Sequence, residues 1–264
     1  MTPVLSYLKE RKRDRLRKQQ FPESWKAAIE RNVPLFARLS AEDQEELLGH
    51  VQVFIDEKYF EGCGGLELTD EIRVTIAAQA CVLLLHRESD YYPRVTSILV
   101  YPSTYVAPEE RSIGGGIWEE GGEARLGHTH EKMGVIVLAW DAALHGSRIW
   151  DDGPNVVLHE FAHQLDFENS STDGTPALES TRQYVSWARV LGAEYEELRR
   201  VDASGGSSFL DTYGATNPAE FFAVVTEMFF ERPSELRERH PALYDELRGF
   251  YRQDPASFAR AEGL

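Results

Sequence analysis

The spacing of apolar and polar positions predicts helices at both ends of the chain and strands near the middle. Residues 1–50 are polar with short amphipathic repeats, and Ser40 followed by acidic residues is typical of a helix start. The stretch 51–60, VQVFIDEKYF, partly alternates and predicts a strand. Thr69 is the expected N-cap of a long helix that runs to about His86 and is apolar nearly all round, which predicts a buried central helix.

The second half of the chain begins with two strand candidates and continues with helices. The β-branched run 94–102 ends at a proline, and 133–141 is a stronger strand candidate. Between them the glycine-rich segment 111–131 is too long for a tight connection, so a mobile flap or hairpin is expected. Helices are predicted over 155–167, about 177–201, a segment ending before Pro233, and the C-terminus. Strands early and helices late indicate an α+β fold.

Charge is distributed unevenly along the 264 residues, whose formal net charge is -16. The segment 9–18 holds seven basic and two acidic residues, so it carries +5 and the remainder carries -21. An acidic body is expected to repel nucleic acid and anionic membranes. The basic segment is interpreted as a solvated arm or exposed helix over residues 1–20, or alternatively as a docking arm for an acidic partner.

Cysteine usage and the hydropathy pattern suggest a cytoplasmic protein. Cys63 and Cys81 form no CxxC pair and are expected to be reduced. The first residues are too briefly apolar for a signal peptide, and no run of about 18 apolar residues predicts a membrane helix.

The candidate chemistry lies in VLHEFAHQLD, residues 157–166. On a helix with about 100° per residue, His159, His163 and Asp166 share one face while apolar residues occupy the opposite face. Two imidazoles one turn apart can hold the same ion, and the glutamate after the first, Glu160, is placed to take a proton from water. A competing interpretation is an ordinary polar helix face with two paired histidines.

A catalytic zinc needs a third protein ligand, and spacing alone leaves several candidates. In NPAE, Asn217 is a good N-cap and Pro218 suits the first helical position, so a capping box explains Glu220 without any metal. Glu227, two turns along the same helix, is a second candidate. The other candidates are the two histidines of HTHE, His128 and His130, and Asp166 at the end of the two-histidine helix.

The blocks VLHEFAHQLD and TYGATNPAEFFAVVTEMFFERP resemble the Mlc titration factor A family of zinc peptidases. They are also similar to the catalytic domain of anthrax lethal factor around the same segments. The resemblance implies a zincin-like fold with a small mixed sheet, an active-site helix and surrounding helices. It also implies that His159, His163 and Glu220 hold one zinc ion. Lethal factor carries an acid four residues after its ligand glutamate, where this chain has Val224, and Asp166 is the expected substitute.

Roles follow from the resemblance and from the chemistry of the motif. Glu160 is expected to activate water, Tyr213 to stabilise the oxyanion, and Asp166 to orient His159 or His163. The strand 133–141 is expected to pair with an extended substrate or to be a buried core strand. Residues 21–264 are expected to form one domain, with a helical part over 21–90 and the sheet and zinc-binding helices over 91–264.

The family resemblance implies a zinc-dependent peptidase of aminopeptidase type acting on short peptides. It also implies a second possibility, a regulatory protein that sequesters a transcriptional repressor. A purely structural zinc protein is disfavoured, because closed structural sites use four protein ligands and usually cysteines.

Overall fold

The computed structural model describes residues 3–103, 105–112, 118–125, 127–130 and 134–258, and only the backbone of 3–5 and of the segments between 105 and 130. Helices precede and follow the strands. Their bounds are α1 Pro3–Arg17, α2 Glu23–Asn32, α3 Ala41–Glu57, α4 Asp70–Val82, α5 Trp140–Arg148, α6 Val156–Asp166, α7 Thr181–Ala203, α8 Pro218–Glu231, α9 Pro233–Arg239 and α10 Pro241–Tyr251.

The strands form a small mixed sheet and a separate hairpin. Their bounds are β1 Tyr59–Gly62, β2 Ser97–Tyr101, β3 Tyr105–Ser112, β4 Trp118–Arg125, β5 Gly127–His130 and β6 Val135–Ala139. The sheet order is β1-β2-β6-β5, with β1, β2 and β6 parallel and β5 antiparallel to β6. The hairpin β3-β4 lies where the sequence predicted one. These elements confirm the α+β class.

The expectation that 133–141 pairs with an extended substrate is wrong. Strand β6 is internal, because β2 occupies one of its edges and β5 the other, so its backbone groups already pair within the sheet. The described edge strands of this sheet are β1 and β5. The segment 111–131, for which a flap is expected, falls mainly on residues whose side chains are not described.

The strand predicted over 51–60 is also wrong for most of its length. Helix α3 begins after Ser40, whose hydroxyl accepts from Asp43 N at 3.1 Å, and continues to Glu57. Val51, Val53 and Phe54 are all fully buried in this helix. The alternation therefore reflects a helix end enclosed on several sides rather than a pleated surface, and the strand starts only at Tyr59.

Helix α4 is central and buried, as its sequence predicts. Thr69 caps it by accepting from Ile72 N at 3.3 Å, and the helix ends at Val82, four residues before the predicted end. It packs against α2, α3, α5 and α6. Together with Phe54 and Tyr92, which contact Phe161 at ring-centroid distances of 5.6 and 4.7 Å, this packing fixes the apolar side of α6 in the core.

The basic N-terminal segment is a helix that docks on acidic residues of the same chain. Arg13 pairs with Glu57 through two hydrogen bonds of 2.7 and 2.9 Å, and Lys9 contacts Asp90 at 2.8 Å. Three of the seven basic residues of the segment 9–18 make such pairs, namely Lys9, Lys12 and Arg13, while Arg17 pairs with Glu10 and Asp14 of its own helix. The domain boundary near residue 20 remains a prediction. Across the described ranges, no helix combines the length and apolar character needed to cross a bilayer.

Candidate metal centre

Helix α6 presents two histidines to the site because its start and its apolar side are both fixed. The Asn155 side chain accepts from Val157 N and Leu158 N, each at 3.1 Å, and so caps the helix. The apolar side is fully buried and consists of Val157, Leu158, Phe161 and Leu165. His159 and His163 therefore lie on the opposite face, as the helical spacing predicts.

Helix α8 brings an acidic side chain to these histidines from its first turn. Asn217 caps α8 by accepting from Glu220 N at 3.0 Å, and Pro218 occupies the first helical position. The Glu220 carboxylate does not close a reciprocal capping box but contacts the Nε2 atoms of His159 and His163 at 3.0 and 3.3 Å. The cap therefore positions the backbone and leaves the carboxylate for the site.

Three potential ligand atoms converge at this point. The Nε2 atoms of His159 and His163 are 3.3 Å apart, and a carboxylate oxygen of Glu220 completes a group whose members lie within 4.8 Å of one another. Two imidazole nitrogens and one carboxylate oxygen are the donor set of a catalytic transition-metal site with an open position. The residues present thus fit a divalent cation.

Glu227 holds the other side of His159. Its Oε1 lies 2.6 Å from Nδ1 of His159, and its Oε2 accepts from Asn155 N at 2.6 Å. Because Nδ1 is engaged, Nε2 is the nitrogen directed at the cluster. Spacing allowed Glu227 as a metal ligand, whereas here it orients a histidine. The sequence feature that could have indicated this role is the position of Glu227, seven residues after Glu220 on the same face of α8.

A second glutamate lies deeper in the same network. Glu231 is 2% exposed, and its Oε1 accepts from the Asn155 side-chain amide at 2.9 Å. Burial raises the pKa of Glu231 well above its usual value, although the hydrogen bond from Asn155 opposes this. Asn155 therefore connects the cap of α6 to Glu227 and Glu231 of α8.

The pKa shifts in the cluster match a site built for a cation. Burial opposes protonation of His159, but Glu227 and Glu220 outweigh it and raise the pKa of His159 well above its usual value. Burial likewise opposes ionisation of Glu220, yet its hydrogen bonds with His159 and His163 hold the pKa of that carboxyl well below its usual range. Positive charge is therefore favoured at this position.

Asp166 does not take the role expected for it beside His159. Its Oδ2 accepts from Gly174 N at 2.9 Å, and its Oδ1 has no hydrogen-bond partner among the residues that the structure describes. The Nδ1 atom of His159 is bound by Glu227 instead. Burial raises the pKa of Asp166 to about 6. Its described contact links the end of α6 to the loop before α7.

Glu160 and Tyr213 lie next to the histidines. Glu160 follows His159 on α6 and is only 6% exposed. Tyr213 lies in a 3-10 turn, Thr212–Ala215, that Asp211 caps by accepting from Tyr213 N at 2.9 Å. The ring centroids of Tyr213 and His159 are 6.1 Å apart, and Tyr213 is 55% exposed. Tyr213 is thus an exposed side chain beside a half-buried cluster.

His128 and His130, which the sequence also allows as third ligands, belong to β5, for which only the backbone is described. Their contribution to the centre stays a prediction.

Comparison with known proteins identifies the family. A model of the family described as "Glucose-regulated metallo-peptidase M90" matches residues 8–252. The chain belongs to this family. Peptidase M90 members are metallopeptidases by description, so a metal ion is implied, and the cluster on α6 and α8 is a candidate group for holding it.

Three relatives cover most of this peptidase M90 chain. "Uncharacterized protein slr2042" of Synechocystis sp. is 40% identical over 234 residues, which is 89% of this chain and 85% of that protein. "Mlc titration factor A" of Klebsiella pneumoniae is 31% identical over 243 residues, 91% of this chain and 89% of that protein. "Mlc titration factor A" of Yersinia pestis is 32% identical over 235 residues, 88% and 84% respectively. The family resemblance seen in the sequence blocks is thereby confirmed.

Proposed function

We propose that the chain is a zinc-dependent peptidase of the HExxH-plus-glutamate type with a zincin-like arrangement of its sheet and active-site helix. His159, His163 and Glu220 would hold one Zn²⁺. When bound, zinc supplies Lewis-acid chemistry, polarising a carbonyl and lowering the pKa of water. The observation that carries the proposal is the convergence of these three side chains within 4.8 Å, on two helices whose caps fix their starts.

In this proposal Glu160 is the general base and then the general acid. Its carboxylate takes a proton from the attacking water as the oxygen bonds to the peptide carbonyl carbon. The carbon–nitrogen bond then breaks, and Glu160 returns the proton to the leaving amine. The position of Glu160 directly after His159 on α6 and its exposure of only 6% support this assignment. Tyr213 donates a hydrogen bond to the oxyanion.

Glu227 and Asn155 are positioning residues in the same scheme. Glu227 accepts hydrogen bonds from Nδ1 of His159 and from Asn155 N, both 2.6 Å, and these bonds hold the ring so that Nε2 faces the cluster. Carboxylate–histidine pairs of this kind increase the basicity of a ligating nitrogen.

Short peptides with a free amino end are the proposed substrates, so the activity is of aminopeptidase type. The acidic chain, with a net charge of -16, supports a preference for a positively charged terminus. A cytoplasmic location is part of the proposal, since both Cys63 and Cys81 are free thiols.

The test compares the wild-type protein with Glu160→Gln. Zinc content is measured by elemental analysis, and hydrolysis of a short peptide panel is measured before and after chelation. We expect chelation to abolish hydrolysis and zinc to restore it, and Glu160→Gln to keep zinc while losing at least about 100-fold in kcat. Full peptide cleavage by Glu160→Gln would remove Glu160 from the mechanism.

A second candidate function is binding of a transcriptional repressor. It rests on the name of the Klebsiella and Yersinia relatives, Mlc titration factor A. Here the proposed partner of this chain is a repressor protein that the chain sequesters. Binding of such a repressor by Glu160→Gln with wild-type affinity would make sequestration independent of hydrolysis, whereas a repressor that fails to bind either form would remove this candidate.

A further inference from the structure

A cavity of about 200 Å³ lies against α8, where the loops 151–154 and 208–211 approach it. Its floor is apolar and buried and consists of Leu210, Val224 and Met228. Gly153 has φ +110° there, and a Cβ at this position would lie 3.3 Å from the Met228 sulfur. The glycine therefore lets the loop close over the floor without filling it.

This cavity shares walls with the candidate metal centre. Glu227 lines it and also holds Nδ1 of His159 at 2.6 Å. Asp211 lines it and also caps the turn that carries Tyr213. His159 and Tyr213 do not line the cavity, but each contacts a residue that does, His159 through Glu227 and Tyr213 through Asp211.

The outer edge of the cavity is acidic. Asp152 and Asp211 are exposed there, in contrast to the buried floor. The one basic residue among the lining residues is Arg232, and its guanidinium already pairs with Glu235 at 2.6, 2.7 and 2.9 Å while lying over the Phe209 ring. The edge thus retains negative charge above an apolar interior.

We infer that this cavity is the subsite for the N-terminal residue of a peptide with an apolar side chain. The apolar side chain of this residue occupies the cavity and packs against the floor. The α-ammonium group, which is bonded to the same Cα atom as the side chain, lies at the edge near Asp152 and Asp211. An apolar cavity of about 150 Å³ accepts benzene, so this one has room for a leucine or phenylalanine side chain. The inference rests on the proposed peptidase function and adds its substrate class.

Binding of amino acid amides to the zinc-loaded Glu160→Gln protein tests the subsite without requiring turnover. Leucinamide, alaninamide and N-acetyl-leucinamide are titrated by calorimetry. We expect leucinamide to bind at least about tenfold more tightly than alaninamide, because the floor accepts the additional methylenes. We also expect acetylation to weaken binding, because it removes the charge. Equal affinities for leucinamide and alaninamide would overturn the inference.

Variants of the cavity separate its floor from its edge. Met228→Ala enlarges the floor and should shift preference from leucinamide toward tryptophanamide. Ser208→Phe, at the exposed edge, should weaken the binding of leucinamide but not that of alaninamide, and it is the alternative variant where Met228→Ala does not fold.

Asp152→Asn and Asp211→Asn should each weaken the binding of leucinamide up to about fivefold without affecting that of N-acetyl-leucinamide. Asp151→Asn, an exposed neighbour, is the matched control. Variants of floor and edge that all bind like wild type would overturn the inference.

The subsite and the peptidase proposal fail in different ways. Selective leucinamide binding without zinc-dependent hydrolysis of any peptide would support the subsite and overturn the peptidase. Zinc-dependent hydrolysis that treats N-terminal alanine and leucine alike would support the peptidase and overturn the subsite.

Discussion

At the scale of single residues, two glutamates one turn apart on α8 have different partners. Glu227 contacts His159 and Asn155 N, whereas Glu231 contacts an uncharged amide and its Oε2 has no hydrogen-bond partner among the described residues. Burial raises the pKa of Glu231 well above its usual value and so favours the neutral carboxyl. The two side chains should therefore respond differently to the same isosteric change.

We predict that Glu227→Gln weakens the affinity for Zn²⁺ by about 10- to 100-fold, because a neutral amide no longer supports His159 as a ligand. Competition with a chelating indicator measures the change. Glu231→Gln is the matched control, and it should keep the affinity within about threefold because Glu231 contacts the Asn155 amide and Glu227 is the residue that contacts His159. Equal loss in both variants would contradict a specific role for the contact with His159.

Asp166 gives a prediction about pH. Its pKa rises to about 6 in the folded protein from an ordinary value of 3.8 because it is buried, so the folded state binds the proton more tightly. Its contribution to stability is therefore complete below about pH 4 and is lost as the pH rises through about 6. A shift of about two units corresponds to about 3 kcal/mol.

Relative to Asp166→Asn, the free energy of unfolding of the metal-free wild-type protein should fall by about 3 kcal/mol between pH 4 and pH 7. Urea unfolding of both proteins across this range measures it. The asparagine keeps an oxygen that can accept from Gly174 N, so the comparison isolates the charge. A difference that stays constant with pH would show that Asp166 is ionised throughout.

At the scale of elements, one glycine sets the distance between the two helices of the centre. Gly174 N donates to Asp166 at the end of α6, and its carbonyl accepts from the Trp187 indole of α7 at 2.9 Å. A Cβ on Gly174 would lie 2.3 Å from the carbonyl oxygen of Pro218, the first residue of α8. The start of α8, two residues before Glu220, therefore rests against a position where no side chain fits.

We predict that Gly174→Ala displaces the start of α8, lowers the free energy of unfolding by more than about 2 kcal/mol and weakens Zn²⁺ binding at least about tenfold. Gly205→Ala is the matched control, because Gly205 also has positive φ (+65°, against +74° for Gly174) but has no atom within 4 Å of a Cβ. That variant should cost about 1 kcal/mol from backbone strain alone and leave Zn²⁺ affinity unchanged. Similar losses in both variants would assign the effect to φ rather than to the contact with Pro218.

Local sequence patterns correctly predicted the helices that begin at a capping residue. Ser40, Thr69 and Asn217 each accept from the backbone N–H three residues later, because capping depends on neighbours in sequence. The stretch 51–57 was assigned wrongly because its alternating valines lie in a helix that is enclosed by α1, α4 and the aromatic core. The position of β6 inside the sheet depends on which strands pair with it, and spacing along the chain does not contain that information.

In the candidate site, too, some features follow from spacing along the sequence and others depend on how the helices pack. The two histidines share a helix face by periodicity alone, and the structure brings Glu220 to them. Their ligand role remains a prediction. The choice between Glu220 and Glu227 could not be made from spacing, because both lie on the same side of α8 and only the packing of α8 on α6 decides which nitrogen each one meets. The described partner of Asp166 is Gly174 N, and this contact depends on the course of the loop between α6 and α7, which spacing along α6 does not contain.

At the scale of the whole molecule, the basic N-terminal helix compensates part of the acidic charge of the rest of the chain. Arg13 is 4% exposed, pairs with Glu57 and Asp90, and lies over the Tyr91 ring at 4.7 Å. Lys12 pairs with Asp56 at a much more exposed position. These pairs attach α1 to α3 and to the loop around Tyr91, on elements other than the two that carry the candidate metal centre.

We predict that Arg13→Met lowers the free energy of unfolding by about 3–5 kcal/mol, because it removes both hydrogen bonds to the part-buried Glu57 and leaves that carboxylate with the longer contact to Lys9, at 3.9 Å. Lys12→Met, which breaks an exposed pair, should cost less than about 1 kcal/mol. Urea unfolding measures both, and adding salt should reduce the smaller effect far more than the larger one. Zn²⁺ affinity of the folded variants should match wild type, because α1 stabilises the scaffold and makes no contribution to the cluster on α6 and α8. A folded Arg13→Met protein with weakened Zn²⁺ binding would instead show that α1 is coupled to the centre through α3 and α4.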